Sequence, residues 1–337
     1  MLDTPAVISM MRQFLDQPSV EAVERVLSLA TSDLAATLGE LAIDPDEVSE
    51  VAGQWDELRR DETWVALLAA LLTTVERQRG SIDAPIPIWP DLEDAGPSGR
   101  LLYFYLFALS CPGAKELLRS EGCPEHVIDA TLGVLARHAA IHRRKWGTTG
   151  VDAGWWMLPT LRGEIVHIGS LQFHRVNLCV GTLSPNPWFS EEEMASLGEG
   201  FRRGDPSIGI HIPEAAPLAP DQLDATFDEA RRVLGSLWPV HQRRLATCQS
   251  WMLDDQLKEF LPATSNILSF QRRFTLLSVW AEDDWDTLEF VFRSPGTALE
   301  DLPRRTTLQR AIVQVLEQGG HWRARTGWFD FDGREPA

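Results

Sequence analysis

The chain has 337 residues, 44% of them hydrophobic, with 31 Lys and Arg against 49 Asp and Glu, a net charge of −18. That length predicts two domains, and acidic residues outnumber basic ones in both halves, which excludes a non-specific nucleic-acid binder. The longest apolar runs, Trp64–Leu72 and Leu101–Leu109, are too short to span a bilayer, no secretory h-region opens the chain, and the four cysteines lack CxxC spacing, so the expectation is a cytoplasmic protein with reduced thiols and no membrane partner.

Through about residue 146 the chain reads as helix, because apolar residues in Val51–Leu72 and Leu101–Ala140 recur at three- and four-residue steps. Asp44-Pro45-Asp46-Glu47 predicts a helix start, with Asp44 as cap, Pro45 in the first turn and Glu47 reaching back. Pro and Gly crowd into 81–100, which reads as a loop between helical groups. After Gly147 the period changes. Trp155–Leu161 and Glu164–Leu178 read as two strands joined across Arg162-Gly163, which would put His167 and His174 on opposite faces of one strand. Ser190-Glu191-Glu192-Glu193 predicts a capping box. Ser207–Ile212 reads as a strand closed by Pro213, Pro220–Leu237 as helix, Leu245–Leu253 as strand, and Asp255–Phe270 as helix interrupted at Pro262. Thr275–Trp280 and Thr287–Phe292 read as strands, Thr306-Thr307-Leu308-Gln309 caps a helix running to Gln318, and His321–Phe331 is the last strand. Strands alternating with helices predict an α/β domain, so the expected division is a helical domain over 1–148 and a mixed-sheet domain over 149–337.

Three stretches carry a resemblance: LRGEIVHIGSLQF (Leu161–Phe173), IHIPEAAPLAPD (Ile210–Asp221) and CQSWMLDDQLKEFLPATSNILSFQRRF (Cys248–Phe274). With the order of elements they resemble the acyltransferase family that joins a helical N-acyltransferase N-terminal domain to a GNAT-like C-terminal domain. The resemblance implies an all-helical domain followed by a GNAT-like mixed sheet (α+β or α/β). It also implies transfer of an acyl group from a thioester, either acyl-CoA or an acyl carrier protein, to a small-molecule amine, without a metal.

In the GNAT fold the strand before the central helix frees a backbone N–H for the thioester carbonyl, and the N-terminus of that helix takes the pyrophosphate. Carried over, the strand is Ser207–Ile212, with Gly209, Ile210 and Ile212 beside the coenzyme, and the turn is Pro213–Asp221. The usual Gln/Arg-x-x-Gly-x-Gly/Ala loop is absent: the turn holds Pro213, Pro217 and Pro220 and no glycine. A carrier-protein donor, a differently seated coenzyme, or a non-catalytic binding or regulatory module on a degenerate scaffold are the readings that follow from that departure.

Amine attack on a thioester needs a base and an acid for the leaving thiolate. His211 or Glu214 would be the base. Both tyrosines, Tyr103 and Tyr105, lie in the helical half, so Ser250 is the hydroxyl placed to serve the thiol. Ser265 and Asn266 fall on the coenzyme channel or cap a helix locally, and Arg272 and Arg273 either complement that helix's C-terminal dipole or meet a phosphate. Gln172, His174 and Trp251 are the expected acceptor contacts. The wider family pattern has Arg at the position of Ser170 and Glu at that of His174. Asp254-Asp255 and Glu282–Asp286, with Trp280 and Trp285, read as solvated acidic edges that would attract an amine if they line the site. Pairing of Cys248 with His211 or His241 as a thiol hydrolase lacks any surrounding signature.

Overall fold

Apolar spacing of three and four residues gives the first unit its helices: α1 (Val20–Ser28), α2 (Thr31–Glu40), α3 (Pro45–Arg60), α4 (Glu62–Arg77), α5 (Gly96–Arg100), α6 (Leu102–Ser120), α7 (Glu125–Leu132), α8 (Val134–Trp146) and α9 (Leu158–Leu161). The computed structural model describes residues 9, 15–82, 84, 95–178, 189–197, 201–239, 244–294 and 296–333. Most of the Pro- and Gly-rich segment 81–100, together with Cys179 and His241, lies outside them. The chain divides into two compact units, Met1–Val166 and His167–Ala337.

In the helical unit the Asp44 side chain accepts from the Asp46 N–H and Pro45 occupies the first turn. Glu47 does not reach back to close a capping box; it is buried, 3.4 Å from Arg143. Trp55 packs on Tyr105 at 4.8 Å, and the polar end of each ring donates to a backbone carbonyl, Trp55 to Leu29 and Tyr105 to Val51. Among the described residues one stretch, Gly96–Ser120, is long and apolar enough to cross a membrane; most of it is buried within the protein, as a core helix is. Gly147, at φ 72°, ends α8.

Trp155–Leu161 is not a strand. It forms a 3₁₀ turn (Gly154–Met157) followed by α9. A short apolar run without polar alternation has no period that separates strand from helix, and Pro159 suits a helix's first turn. Gly154 lies on the Tyr103 ring so closely that a Cβ would sit 2.2 Å from it, a contact that ties the turn to α6.

The hairpin therefore begins later, as β1 (Ile165–Ile168) and β2 (Leu171–Asn177), so His167 and His174 sit on different strands. Gly169, at φ 57°, turns between them, and a Cβ there would be 2.3 Å from Thr226 Oγ1, which accepts from the Ser170 N–H. Thr226 belongs to α11 (Pro220–Leu237), so this turn is fastened to the central helix. The remaining strands are β3 (Pro206–His211), β4 (Leu245–Ser250), β5 (Thr275–Glu282) and β6 (Arg323–Asp330), in the sheet order β1-β2-β3-β4-β6-β5. β3 and β4 are parallel; β2–β3, β4–β6 and β5–β6 are antiparallel. α11 buries Leu223, Phe227, Ala230, Val233, Leu234 and Leu237. Phe227 meets Phe173 and Phe329 edge-on, and Phe173 also meets Phe331. Each such ring contributes about 1.5–3 kcal/mol on burial.

Thr287–Phe292, expected as a strand, is instead part of helix α14 (Asp284–Phe292), because Asp283 caps it by accepting from the Asp286 N–H. Its branched and aromatic residues pack with Trp322 and with α15 (Thr307–Glu317), which carries the predicted Thr306–Gln309 capping box. The predicted box at Ser190 also forms, opening α10 (Glu191–Ser196). Its Glu193 additionally accepts from the N–H and hydroxyl of Ser278 on the edge strand β5, at 2.8 Å each. Burial pushes the Glu193 carboxyl up, but the bonds from Ser190 and Ser278 outweigh it and hold it at about 2.

Candidate functional site

Two parallel strands stay together only while their backbones exchange hydrogen bonds. β3 and β4 do so at Ile208–Ala246 and Gly209–Thr247. Beyond that point β3 continues to His211 paired with β2, and β4 continues to Ser250 paired with β6. The β3–β4 ladder thus ends at a seam past Gly209 and Thr247, where each strand keeps its outer partner.

Register assigns the faces, since directly opposed residues share one. Gln172 opposes His211, His174 opposes Gly209, Gly209 opposes Thr247, and Gln249 opposes Thr326. Gln172, His174, His211, Thr247, Gln249 and Thr326 therefore lie on one face, a polar band across four strands. Gln172, His174, Thr247 and Thr326 are buried, and His211 is half-buried. The other face holds Phe173, Ile208, Ile210, Ala246, Cys248 and Phe329, and its phenylalanines pack on α11.

His174 Nδ1 lies 3.2 Å from His211 Nε2, with ring centroids 5.4 Å apart. Burial first, and His174 second, hold His211 down at about 3, so its imidazole is neutral at physiological pH. Sequence reasoning missed this contact, because it emerges from the β2–β3 register. The one local signal is Gly209, a strand glycine of the kind that marks close approach.

The other expected residues fall as follows. Ile212 follows β3, half-buried, ahead of the Pro213 turn. Glu214 sits in that turn with its carboxylate 3.9 Å from Arg293. The Ser250 hydroxyl oxygen accepts from the Met252 N–H, capping the 3₁₀ turn Trp251–Leu253 in which Trp251 is buried; Ser250 shares the face of Cys248 rather than that of His211. After the single turn α12 (Leu257–Phe260), Ser265 caps the short helix α13 (Asn266–Gln271), with Asn266 as its first residue. Arg272 donates to the Ala263 carbonyl. Arg273 is brought to the first turn of α11, where it donates to Asp224 at 2.5 Å and to the Pro220 carbonyl at 3.3 Å. That turn has Ala219 as cap without a side-chain bond and Pro220 at its start, so the Asp221 and Gln222 N–H groups precede the first intrahelical bond, donated by Leu223 to Ala219.

Three features drop out. Cys248 is buried and its thiol is pushed up to about 12 by burial, which removes the thiolate a hydrolase would need. The acidic runs are committed to structure: Asp254 is fully buried and accepts from Gln256 and the Arg323 N–H, Asp255 pairs with Arg325 at 2.7 Å, and Asp284 holds His321 and the Trp322 N–H. His167 is used locally, against the Gly169 carbonyl. Among the described residues no cluster of three or more His, Cys, Asp or Glu is poised to hold a metal.

Residues 32–163 match the N-acyltransferase N-terminal domain, and residues 165–329 match the GNAT-like C-terminal domain. The chain belongs to the acyltransferase family that combines these two domains. Solved structures agree with that membership. An acyltransferase in complex with CoA and 10C-teicoplanin is 29% identical, with a TM-score of 0.77 over 96% of this chain and 94% of that one. An acyltransferase in complex with decanoyl-CoA and teicoplanin is 28% identical, with a TM-score of 0.76 over 96% and 94%. A third, in complex with decanoyl-CoA, is 28% identical, with a TM-score of 0.75 over 98% of this chain and 99% of that one. No curated protein is matched by the chain. The acyltransferase carries the family's two domains in the expected order, with the parted strands lying in its GNAT-like half.

Proposed function

We propose that this acyltransferase moves an acyl group from acyl-CoA to an amine of a small-molecule acceptor by direct attack in a ternary complex. The observation that carries the reading is the seam: β3 and β4 stop pairing after Gly209 and Thr247, and His211 stands on the strand that leaves. A pantetheine arm needs such a gap, where it can bond to strand backbone that the sheet itself does not use. Acyl-CoA is preferred to an acyl carrier protein because the solved relatives hold CoA and decanoyl-CoA, and an amine acceptor because two of them hold teicoplanin or 10C-teicoplanin.

Backbone N–H groups between Gly209 and Ile212 would receive the negative charge that develops on the thioester oxygen. The amine attacks the carbonyl carbon, a C–N bond forms, the C–S bond breaks, and the ammonium proton leaves. His211 takes that proton in preference to Glu214, whose carboxylate is directed to Arg293. Ser250 accepts from Met252 through its oxygen, which leaves its own hydrogen to be donated in a hydrogen bond to the departing thiolate, whose proton comes from the solvent in exchange for the one taken by His211. The α11 N-terminus and Arg273 would take the pyrophosphate, through the Asp221 and Gln222 N–H groups, the helix dipole and the guanidinium. Ser265, Asn266 and Arg272 are the remaining coenzyme-side residues; Gln172, His174 and Trp251 are on the acceptor side.

Thermal melts with CoA, acetyl-CoA and decanoyl-CoA, followed by thiol release in the presence of an amine glycopeptide, test the reading. Stabilisation by about 2.7 kcal/mol is expected at a hundredfold excess over Kd. No shift with any CoA ester, and no thiol released, would overturn it.

A further inference from the structure

The two imidazoles across the β2–β3 pair form a unit whose geometry goes beyond a base acting alone. His174 is 2% exposed and stands opposite Gly209 in the ladder. Its Nδ1 reaches past that glycine to His211 Nε2 at 3.2 Å. The missing side chain at residue 209 gives this approach room: a Cβ there would lie 3.3 Å from His174 Cβ, tighter than most such contacts, and in ordinary contact with His211 Nε2 at 3.7 Å. One contact between two ring nitrogens holds one hydrogen, so each tautomer of one ring dictates the tautomer of the other.

We propose that His174 is a positioning residue that accepts the hydrogen bond from His211 Nε2–H, fixing His211 in the tautomer whose lone pair is on Nδ1, the nitrogen that takes the acceptor amine's proton. This rests on the assignment of His211 as base. The opposite tautomer defeats that role, because His211 would spend its Nε2 lone pair on His174 and carry a hydrogen on Nδ1. In the step itself the amine N–H bond breaks and an Nδ1–H bond forms on His211. The positive charge on the imidazolium is then stabilised through the retained Nε2–H bond to neutral His174. Two buried imidazolium rings at 3.2 Å would repel, so only one ring of the pair carries charge at any time.

The test separates His174 from the reading it depends on. His174→Leu keeps an apolar side chain in the buried site but removes the acceptor; His174→Gln retains an acceptor oxygen. His174→Leu is expected to lower kcat about 10²-fold, with KM for acyl-CoA and amine within twofold. His174→Gln should recover most of that loss, which a merely structural role would not produce. ¹⁵N spectra of the wild-type protein should show His211 protonated on Nε2 and bare on Nδ1. His211→Ala should abolish turnover. Retention of kcat in His174→Leu while His211→Ala is inactive would overturn the positioning role alone. Retention in both would overturn the base. Should His174→Leu not fold, a wild-type spectrum with the hydrogen on His211 Nδ1 overturns the proposal.

Discussion

Replacing Gly209 by alanine probes the centre of the seam with a single methyl. The glycine is not in the left-handed region, so alanine carries no backbone penalty. Restricting the unfolded chain favours the variant by about 0.4–1 kcal/mol. Against this, the new Cβ meets His174 Cβ at 3.3 Å and the His174 carbonyl at 3.8 Å, closer than comfortable van der Waals contact for the carbons. Relieving it costs about 1–3 kcal/mol in a packed site. The two effects nearly cancel, and the expected change in melting temperature is only a few degrees, since about 1 kcal/mol corresponds to about 2–4 °C in a large domain. Activity is more sensitive. A shift of a few tenths of an ångström takes the His174–His211 contact from 3.2 Å to the limit of hydrogen bonding, and weakening that bond by about 1.4 kcal/mol in the transition state lowers kcat about tenfold. Thiol release from acyl-CoA at saturating amine, with a melt on the same sample, measures both. A folded variant with kcat within twofold of wild type would refute the argument that the missing side chain lets the histidines meet.

Arg273→Gln removes the guanidinium at the first turn of α11. It should weaken CoA by about tenfold, the equivalent of one charge-assisted hydrogen bond, and leave pantetheine, which lacks the pyrophosphate, unchanged in a calorimetric titration; equal weakening of both would remove the arginine from the phosphate site. Glu193→Gln addresses acid stability. The Glu193 carboxyl is held at about 2 against an ordinary 4.5, so its contribution is complete above about 4.5 and is lost as pH falls towards 2. The protection of the Ser278 amide, its exchange measured against the intrinsic rate at each pH, should fall through that window in the wild-type protein, and the Gln variant should lose this pH dependence; identical profiles would detach α10 from the acid response.

The halves differed in how much of them could be read beforehand. Helix α11 runs Pro220–Leu237 as its period predicts, and both capping boxes form at Ser190 and Thr306, because an N-cap and its partner three residues on are local. Trp155–Leu161 and Thr287–Phe292 went the other way. Nothing in the period of the first run decides against helix and Pro159 fits the first turn of α9, while Asp283, outside the second run, caps α14. The sequence places His211 and Gly209 on the strand β3 and Arg273 just after α13, and the fold has them there. The acidic segments read as solvated edges, and nothing in Asp254-Asp255 discloses that Asp254 is enclosed by Gln256 and Arg323.

The order of amino acids by itself determined the two-part architecture, the sites where several helices begin, and the strand that precedes the central helix. These follow from periodicity, capping and short-range sterics, each settled within a few residues. Only the tertiary structure decided where β3 and β4 part and that His174 meets His211. A ladder's register, and the point at which it stops, depend on segments far apart in the chain coming to lie side by side.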